Sequence, residues 1–283
     1  MTSYNKKANL IKIKYAIIWF ILFLTSCNPN SNPENLSTLE ITPSVKVITS
    51  GGFAAAYDGL IAQIEMELGI QLETEYGSSS GGAIDSIPIR LENGDNFDVI
   101  ILSRESLDKL TQEGFVNSES RVDLVRSKIG MAVKEGSPVP VINDVPSFIA
   151  ALKDAQSIAY SASASGTYLS TELFPALGIW EWLEPKSTRV FSERVAAVVA
   201  RGDAEIGFQQ ISEILPIKGA TFAGAIPDEL QKVTTFSAGI LVNAANPQDA
   251  SRLLDYLSSE TLAAAIAASG LSPVVLENAV ETE

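Results

Sequence analysis

VKVITSGGFAAAYDGLIAQIEMELGIQLETEYGSSSGG, Val45–Gly82, is the stretch that decides the fold. Val45–Thr49 alternates and is rich in β-branched residues, which predicts a strand. Ser50-Gly51-Gly52 breaks it. From Ala54 to Leu68, the residues Tyr57, Leu60, Ile61, Ile64 and Leu68 recur at helical spacing, and Gly69 stops the helix. Leu72–Tyr76 is a second strand and Gly77–Gly82 a loop. The same unit then recurs. Ala83–Glu92 reads as helical despite Pro88, Asn93-Gly94 turns the chain, Phe97–Leu102 (FDVIIL) is a buried strand, and Glu105–Gln112 is a helix. Three consecutive strand–loop–helix units imply a parallel sheet with helices on both faces.

Downstream the rhythm changes. Val122–Val133 is extended, Pro146–Lys153 a short helix, Ser157–Tyr160 a strand, and Ser161–Thr167 (SASASGT) a loop of small residues. Tyr168–Leu177 reads as a helix interrupted at Pro175, Glu193–Arg201 as amphipathic, and Ile206–Gln209 as a short strand. Thr234–Val242 is extended again, and Pro247–Ser258 and Thr261–Ser269 close the chain as helices. The expectation is an α/β chain of two lobes with a ligand cleft between them. Residues 44–123 and 240–283 form the first lobe and 124–239 the second, with crossovers near Leu124–Val133 and Thr234–Val242. The cleft lies where strand C-termini and helix N-termini converge.

Upstream, Lys6, Lys7, Lys12 and Lys14 precede the apolar run Tyr15–Leu24. Ten residues of helix span only about 15 Å, too short for a bilayer. A basic stretch before a short apolar core reads as a secretory signal, residues 1–26. It ends Leu24-Thr25-Ser26-Cys27, which resembles the lipobox of bacterial lipoproteins, with Cys27 the residue that takes the lipid. Residues 27–43, rich in Asn and Pro, read as a flexible tether. The folded part is therefore expected outside the cytoplasm, at a membrane surface through its lipid alone, and as a monomer.

Composition removes much chemistry. The chain has 283 residues, no histidine and a single cysteine, which excludes Ser-His-Asp and Cys-His catalysis, disulfides and His- or Cys-held zinc. No cofactor is expected. Lys plus Arg number 20 against 34 Asp plus Glu, a net charge of −14, so there is no basic footprint for nucleic acid.

Three loops join strands to helices: Ser50-Gly51-Gly52, Ser78-Ser79-Ser80-Gly81-Gly82 and Ser163-Ala164-Ser165-Gly166-Thr167. Each presents hydroxyls and free backbone N–H groups at a helix N-terminus, where the helix dipole favours an anion. Serine and glycine also serve as ordinary loop and cap residues, but three such loops in equivalent positions point to a small anionic ligand. None is a nucleotide loop, since neither GxGxxG nor a Gly-Lys-Ser/Thr ending occurs. Arg104, at the end of the FDVIIL strand, is placed to hold a carboxylate or oxyanion, or to pair with Glu105 or Asp108. Arg90 is a weaker candidate of the same kind. Gln209-Gln210, ending a strand, offers neutral amides to the cleft, and Trp180 and Trp182 read as packing.

These residues resemble the molybdate-binding proteins of bacterial ABC importers. The matching pieces are SGGF within Val45–Ala56, YGSSSG at Tyr76–Gly81, DVIIL at Asp98–Leu102, SGTY at Ser165–Tyr168, VARGDAEIGFQQISE at Val199–Glu213, and the helices of Leu254–Gly270. The resemblance implies the type II periplasmic-binding fold, a tetrahedral oxyanion as ligand, and importer membrane subunits as partners. It sets the family's ligand residues at Gly52, Ser79, Ser165 and Gln210, so one hydroxyl and a tyrosine are replaced. Bacterial aconitate isomerases resemble the same divergent branch. That resemblance implies interconversion of cis- and trans-aconitate, with Arg104 and Arg90 as a cationic cradle and an unassigned Glu, Asp, Lys or Tyr as base. Binding protein and isomerase both stand as expectations.

Overall fold

The structure is a computed structural model and describes residues 42–274. The expected signal segment, Cys27 and residues 28–41 of the tether lie outside the described residues.

The first lobe begins with β1 (Ser44–Ser50), α1 (Gly51–Leu68), β2 (Gln71–Gly77), α2 (Ile87–Glu92), β3 (Val99–Ser103), α3 (Arg104–Gln112) and β4 (Val122–Ser127). Strands β1 and β3 are apolar on both sides, and their alternation serves two cores. Val47, Val99 and Ile101 pack with Phe53, Tyr57, Leu60 and Ile64 of α1. Ile48, Ile100 and Leu102 pack on the opposite face with Ile87, Leu91, Leu107 and Leu110 of α2 and α3. Gly69 ends α1 in the left-handed conformation, at φ 64°.

The chain then enters the second lobe through one residue, Lys128, between β4 and β5 (Ile129–Lys134). There follow α4 (Val145–Asp154), β6 (Ile158–Ser161) and α5 (Ala164–Tyr168), the last continuing through a π-helical turn at Leu169–Leu173 into α6 (Phe174–Ala176). Next come α7 (Trp180–Leu183), β7 (Ser187–Val190), α8 (Val195–Arg201), β8 (Ile206–Gln210), α9 (Ile211–Ile214) and β9 (Ala220–Ala225). The return through 226–233 leads to β10 (Thr234–Ile240), α10 (Pro247–Leu257), α11 (Glu260–Ala268) and β11 (Ser272–Pro273).

The six-stranded sheet runs β11-β4-β10-β3-β1-β2 and the five-stranded sheet β7-β6-β8-β5-β9. Strands β2, β1 and β3 are parallel, as the three units implied, but β10 is antiparallel to both β3 and β4. The sheet is mixed because β10 arrives from the other lobe rather than through a strand–helix–strand crossover. The sheets also set where the chain changes sides. β4 stays in the first sheet through Ser127 and β10 belongs to it from Thr234, so the passages fall at Lys128 and 226–233, not at 123/124 and 239/240. Gln231 ties the two passages together: its amide accepts from Ile129 N–H at 3.0 Å and donates to the carbonyls of Ile129 and Ile226 at 2.8 and 3.1 Å.

Several boundaries differ from the sequence reading. α1 begins at Gly51, not Ala54, and α5 begins inside the expected Ser161–Thr167 loop. Both helices therefore start directly against the strands before them, and glycine fills first-turn positions that have no room for a side chain (Gly51, Gly52 and Gly166). The helix at Ala83–Glu92 shortens to Ile87–Glu92, with Pro88 in its first turn. Trp180 stacks on Phe174 with centroids 6.0 Å apart, which fits the packing role expected of it.

Candidate functional site

A cavity of about 330 Å³ lies between the lobes. Its first-lobe wall comes from Ser50, Gly51 and Gly52, the loop Gly77–Ser79, Asp85 and Phe236. Its second-lobe wall comes from the loop Ser161–Ser165, residues 190–194, Gln209, Gln210 and Glu213.

Each polar group has a local cause. Ser50 is the N-cap of α1 but makes no capping bond, and its buried hydroxyl has no partner. The first-turn N–H groups of an eighteen-residue helix are thus left for a ligand. Ser79, 1 % exposed, accepts from the backbone N–H of Ser103 at 3.0 Å, which leaves its own O–H to donate into the cavity. Ser78 instead donates to the carbonyl of Ser80 at 2.9 Å. Ser165 and Ser161 share a hydroxyl–hydroxyl bond of 3.1 Å. Gln210 donates to Thr234 at 3.0 Å, and its carbonyl oxygen is buried without a partner.

Glu213 is the chemical centre of this wall. The residue keeps some exposure toward the cavity, yet protein encloses it, and burial pushes its carboxyl from 4.5 up to about 7. The Arg194 charge, a 3.0 Å bond from the Gln209 amide and the Gln210 backbone N–H oppose that rise without cancelling it. Gln209 is itself held by the Ala196 N–H at the start of α8, at 3.4 Å. Across the cleft, a Cβ on Gly51 would lie 2.2 Å from Glu213 Oε1, so only glycine lets this carboxyl rest against α1. Beside it, Ser212 donates to the carbonyl of Gly52 at 2.7 Å. Among the described residues, Arg194 is the only Lys or Arg lining this cavity.

The loop residues proposed from sequence divide three ways. Ser50, Gly51, Gly52, Ser78, Ser79 and Gln210 line this cavity, and Ser165 lines it together with a second one of about 610 Å³. Ser80, Thr167 and Arg104 line only the second cavity. Gly166 lines neither. A Cβ there would lie 1.7 Å from the Ser161 carbonyl oxygen, so this glycine serves the packing of α5 on β6.

Arg104 does not line the cavity beside Ser50. Its Nη1 is 3.0 Å from Asp123 Oδ2, because β10 lies between β3 and β4 and brings Asp123 near the end of β3. Neither Glu105 nor Asp108 is its partner. Arg90 is likewise engaged elsewhere, with Glu75, with Asp95 at 2.7 Å, and over the Phe97 ring. The cradle expected of these two arginines is therefore not formed. The cation of the Glu213 cavity is Arg194, which the sequence reading places inside an amphipathic helix. α8 starts one residue later, and Arg194 is its extended N-cap. Glu213 is not among the residues that the sequence singles out either. Its signal was an acid one helical turn past a strand end that already carried Gln209 and Gln210.

Comparison with known proteins agrees with this architecture. The model of the bacterial extracellular solute-binding proteins matches residues 45–272. An aconitate isomerase from Pseudomonas sp is 40 % identical over 231 residues, covering 82 % of this chain and 88 % of that protein. Among solved structures, the periplasmic molybdate-binding protein of Azotobacter vinelandii superposes with a TM-score of 0.64 at 20 % identity, over 80 % of this chain and 98 % of that one. The sulfate-binding protein SubI from Mycobacterium tuberculosis superposes with a TM-score of 0.69 at 14 % identity, over 82 % and 87 %. These structures share the two-lobed periplasmic-binding fold. With a family match that spans both sheets and the cleft, this chain belongs to the bacterial extracellular solute-binding proteins.

Proposed function

We propose that this chain is an extracytoplasmic, lipid-anchored enzyme that binds a propene tricarboxylate between its lobes and interconverts cis- and trans-aconitate. One observation carries the reading: a carboxyl that titrates near neutrality, Glu213, lines this cavity together with Arg194, the one Lys or Arg among its described lining residues. A pure anion receptor gains nothing from a second negative charge there. A proton-transfer enzyme needs a base whose pKa lies near the working pH. The 40 % identical relative named for this activity supports the same reading.

The chemistry is a 1,3 proton shift. Glu213 takes one proton from the methylene carbon, and the C–H electron pair delocalises over three carbons and the flanking carboxylates. Glu213, now neutral, returns the proton to the far carbon of that allyl unit. One C–H bond breaks and one forms, the double bond moves one position, and the bound conformation sets its new geometry. Arg194, the first-turn N–H groups of α1 and the hydroxyls of Ser50 and Ser79 face the charge that develops. Charge-assisted hydrogen bonds of this kind contribute ~1.5–3 kcal/mol each.

The test is turnover. The purified protein with cis-aconitate in D₂O is followed by proton NMR. Many equivalents of trans isomer per protein, some carrying solvent deuterium, support the enzyme. The family match favours a second reading, a receptor handing a small anion to importer membrane subunits. Tight binding with no turnover selects it.

A further inference from the structure

One wall of the cavity takes no part in proton transfer. A Cβ on Gly52 would lie 2.0 Å from Cζ of Phe236 and 2.6 and 2.7 Å from its Cε atoms. The tip of the ring thus abuts the first turn of α1, and nothing larger than hydrogen fits between them. Phe236 pairs with Ser103 at the end of β3. Just after it the register of β10 against β4 shifts, an irregularity of the kind that re-aims side chains beside binding sites. Phe236 is 3 % exposed, packs in the core of the first lobe and borders the cavity, and Val190 and Phe191 add apolar surface from the second lobe.

We propose that Phe236, seated on Gly52, is the specificity-determining residue of this cleft: it selects a flat, unsaturated polycarboxylate and rejects compact tetrahedral oxyanions. The inference rests on the polycarboxylate reading above and adds the basis of selection. A tetrahedral oxyanion carries oxygens in every direction. The one facing the ring sheds water and gains no donor, a loss of roughly tenfold or more in affinity. A conjugated acid carries its charge at the ends and offers a flat carbon body to the aromatic wall. Its saturated counterpart, propane-1,2,3-tricarboxylate, has the same three carboxylates on tetrahedral carbons and cannot lie flat.

The test is calorimetric titration of the wild type and Phe236→Leu with trans-aconitate, propane-1,2,3-tricarboxylate and sulfate, with melting curves as a check on folding. Leucine keeps the apolar character and removes the plane. The wild type is expected to prefer the unsaturated acid by about threefold to tenfold, and Phe236→Leu to bring the two within about twofold. Sulfate stays weak in both. An unchanged ratio in the variant, no preference in the wild type, or sulfate binding as tight as aconitate overturns the proposal. If the wild type binds neither tricarboxylate, the polycarboxylate reading fails by itself. Sulfate titration of Phe236→Ala then decides what is left. A gain over wild type upholds the ring's exclusion of oxyanions, and no gain overturns it.

Discussion

Glu213→Gln separates activity from stability, with opposite signs. The carboxyl titrates at about 7 in the folded chain against 4.5 ordinarily. Because the folded-state value is the higher one, the folded chain still holds a proton between pH 4.5 and 7 that the unfolded chain has released. Stability therefore falls as the pH rises through this window, and the penalty is complete above it. At ~1.36 kcal/mol per pH unit the displacement amounts to about 3 kcal/mol. Glutamine keeps the shape and bears no charge at any pH. The variant should melt with the wild type near pH 4.5 and above it at pH 8, by roughly 6–12 °C for a domain of this size. Its turnover of cis-aconitate should drop by ~10²–10⁴, the usual contribution of a general base. Scanning calorimetry at half-unit steps from pH 4.5 to 8, beside the NMR assay, measures both. A melting gap that does not change with pH, or a variant less stable than wild type at pH 8, would refute the reasoning.

Three further outcomes follow from the same geometry. In Arg194→Leu, loss of the charge that lowers the Glu213 carboxyl should move the rising limb of the pH–rate profile upward from about 7, and tricarboxylate binding should weaken in the same titrations. Gly166→Ala forces a methyl to within 1.7 Å of the Ser161 carbonyl oxygen. It should cost stability at or above the upper end of the ~1–3 kcal/mol typical of overpacking, read from urea unfolding. Arg104→Ala should leave ligand affinity unchanged within about twofold and cost at most ~1 kcal/mol, since its pair with Asp123 is partly exposed and lies outside the Glu213 cavity.

The strand–loop–helix units between Val45 and Gln112 were legible because strand alternation and helical spacing are local properties of the chain. The cleft was legible in part for the same reason, since Ser50 and Ser79 lie where a strand hands over to a helix or loop. What escaped depends on neighbours distant in sequence. Nothing around Arg104 shows that β10 inserts beside β3 and delivers Asp123 as a partner. Glu213 looks like a solvated helix residue until α1 is packed over it, and its raised pKa is a property of that packing. β9, half-buried throughout, lacks the apolar contrast that would mark a strand, and the four-residue helix α7 is too short for a periodic signal.

The insertion of β10 between β3 and β4 bears on how the chain acquires its shape. The five-stranded sheet comes from one uninterrupted stretch, so a chain made from its N-terminus can complete that lobe early. The six-stranded sheet cannot be finished in order. Its first four strands emerge with a gap in their midst, and the strand that fills it arrives only after the whole second lobe has been synthesised. Shortening the chain to end before Thr234 would therefore take out the middle of the first lobe, and with it one wall of the cleft, rather than trim an edge.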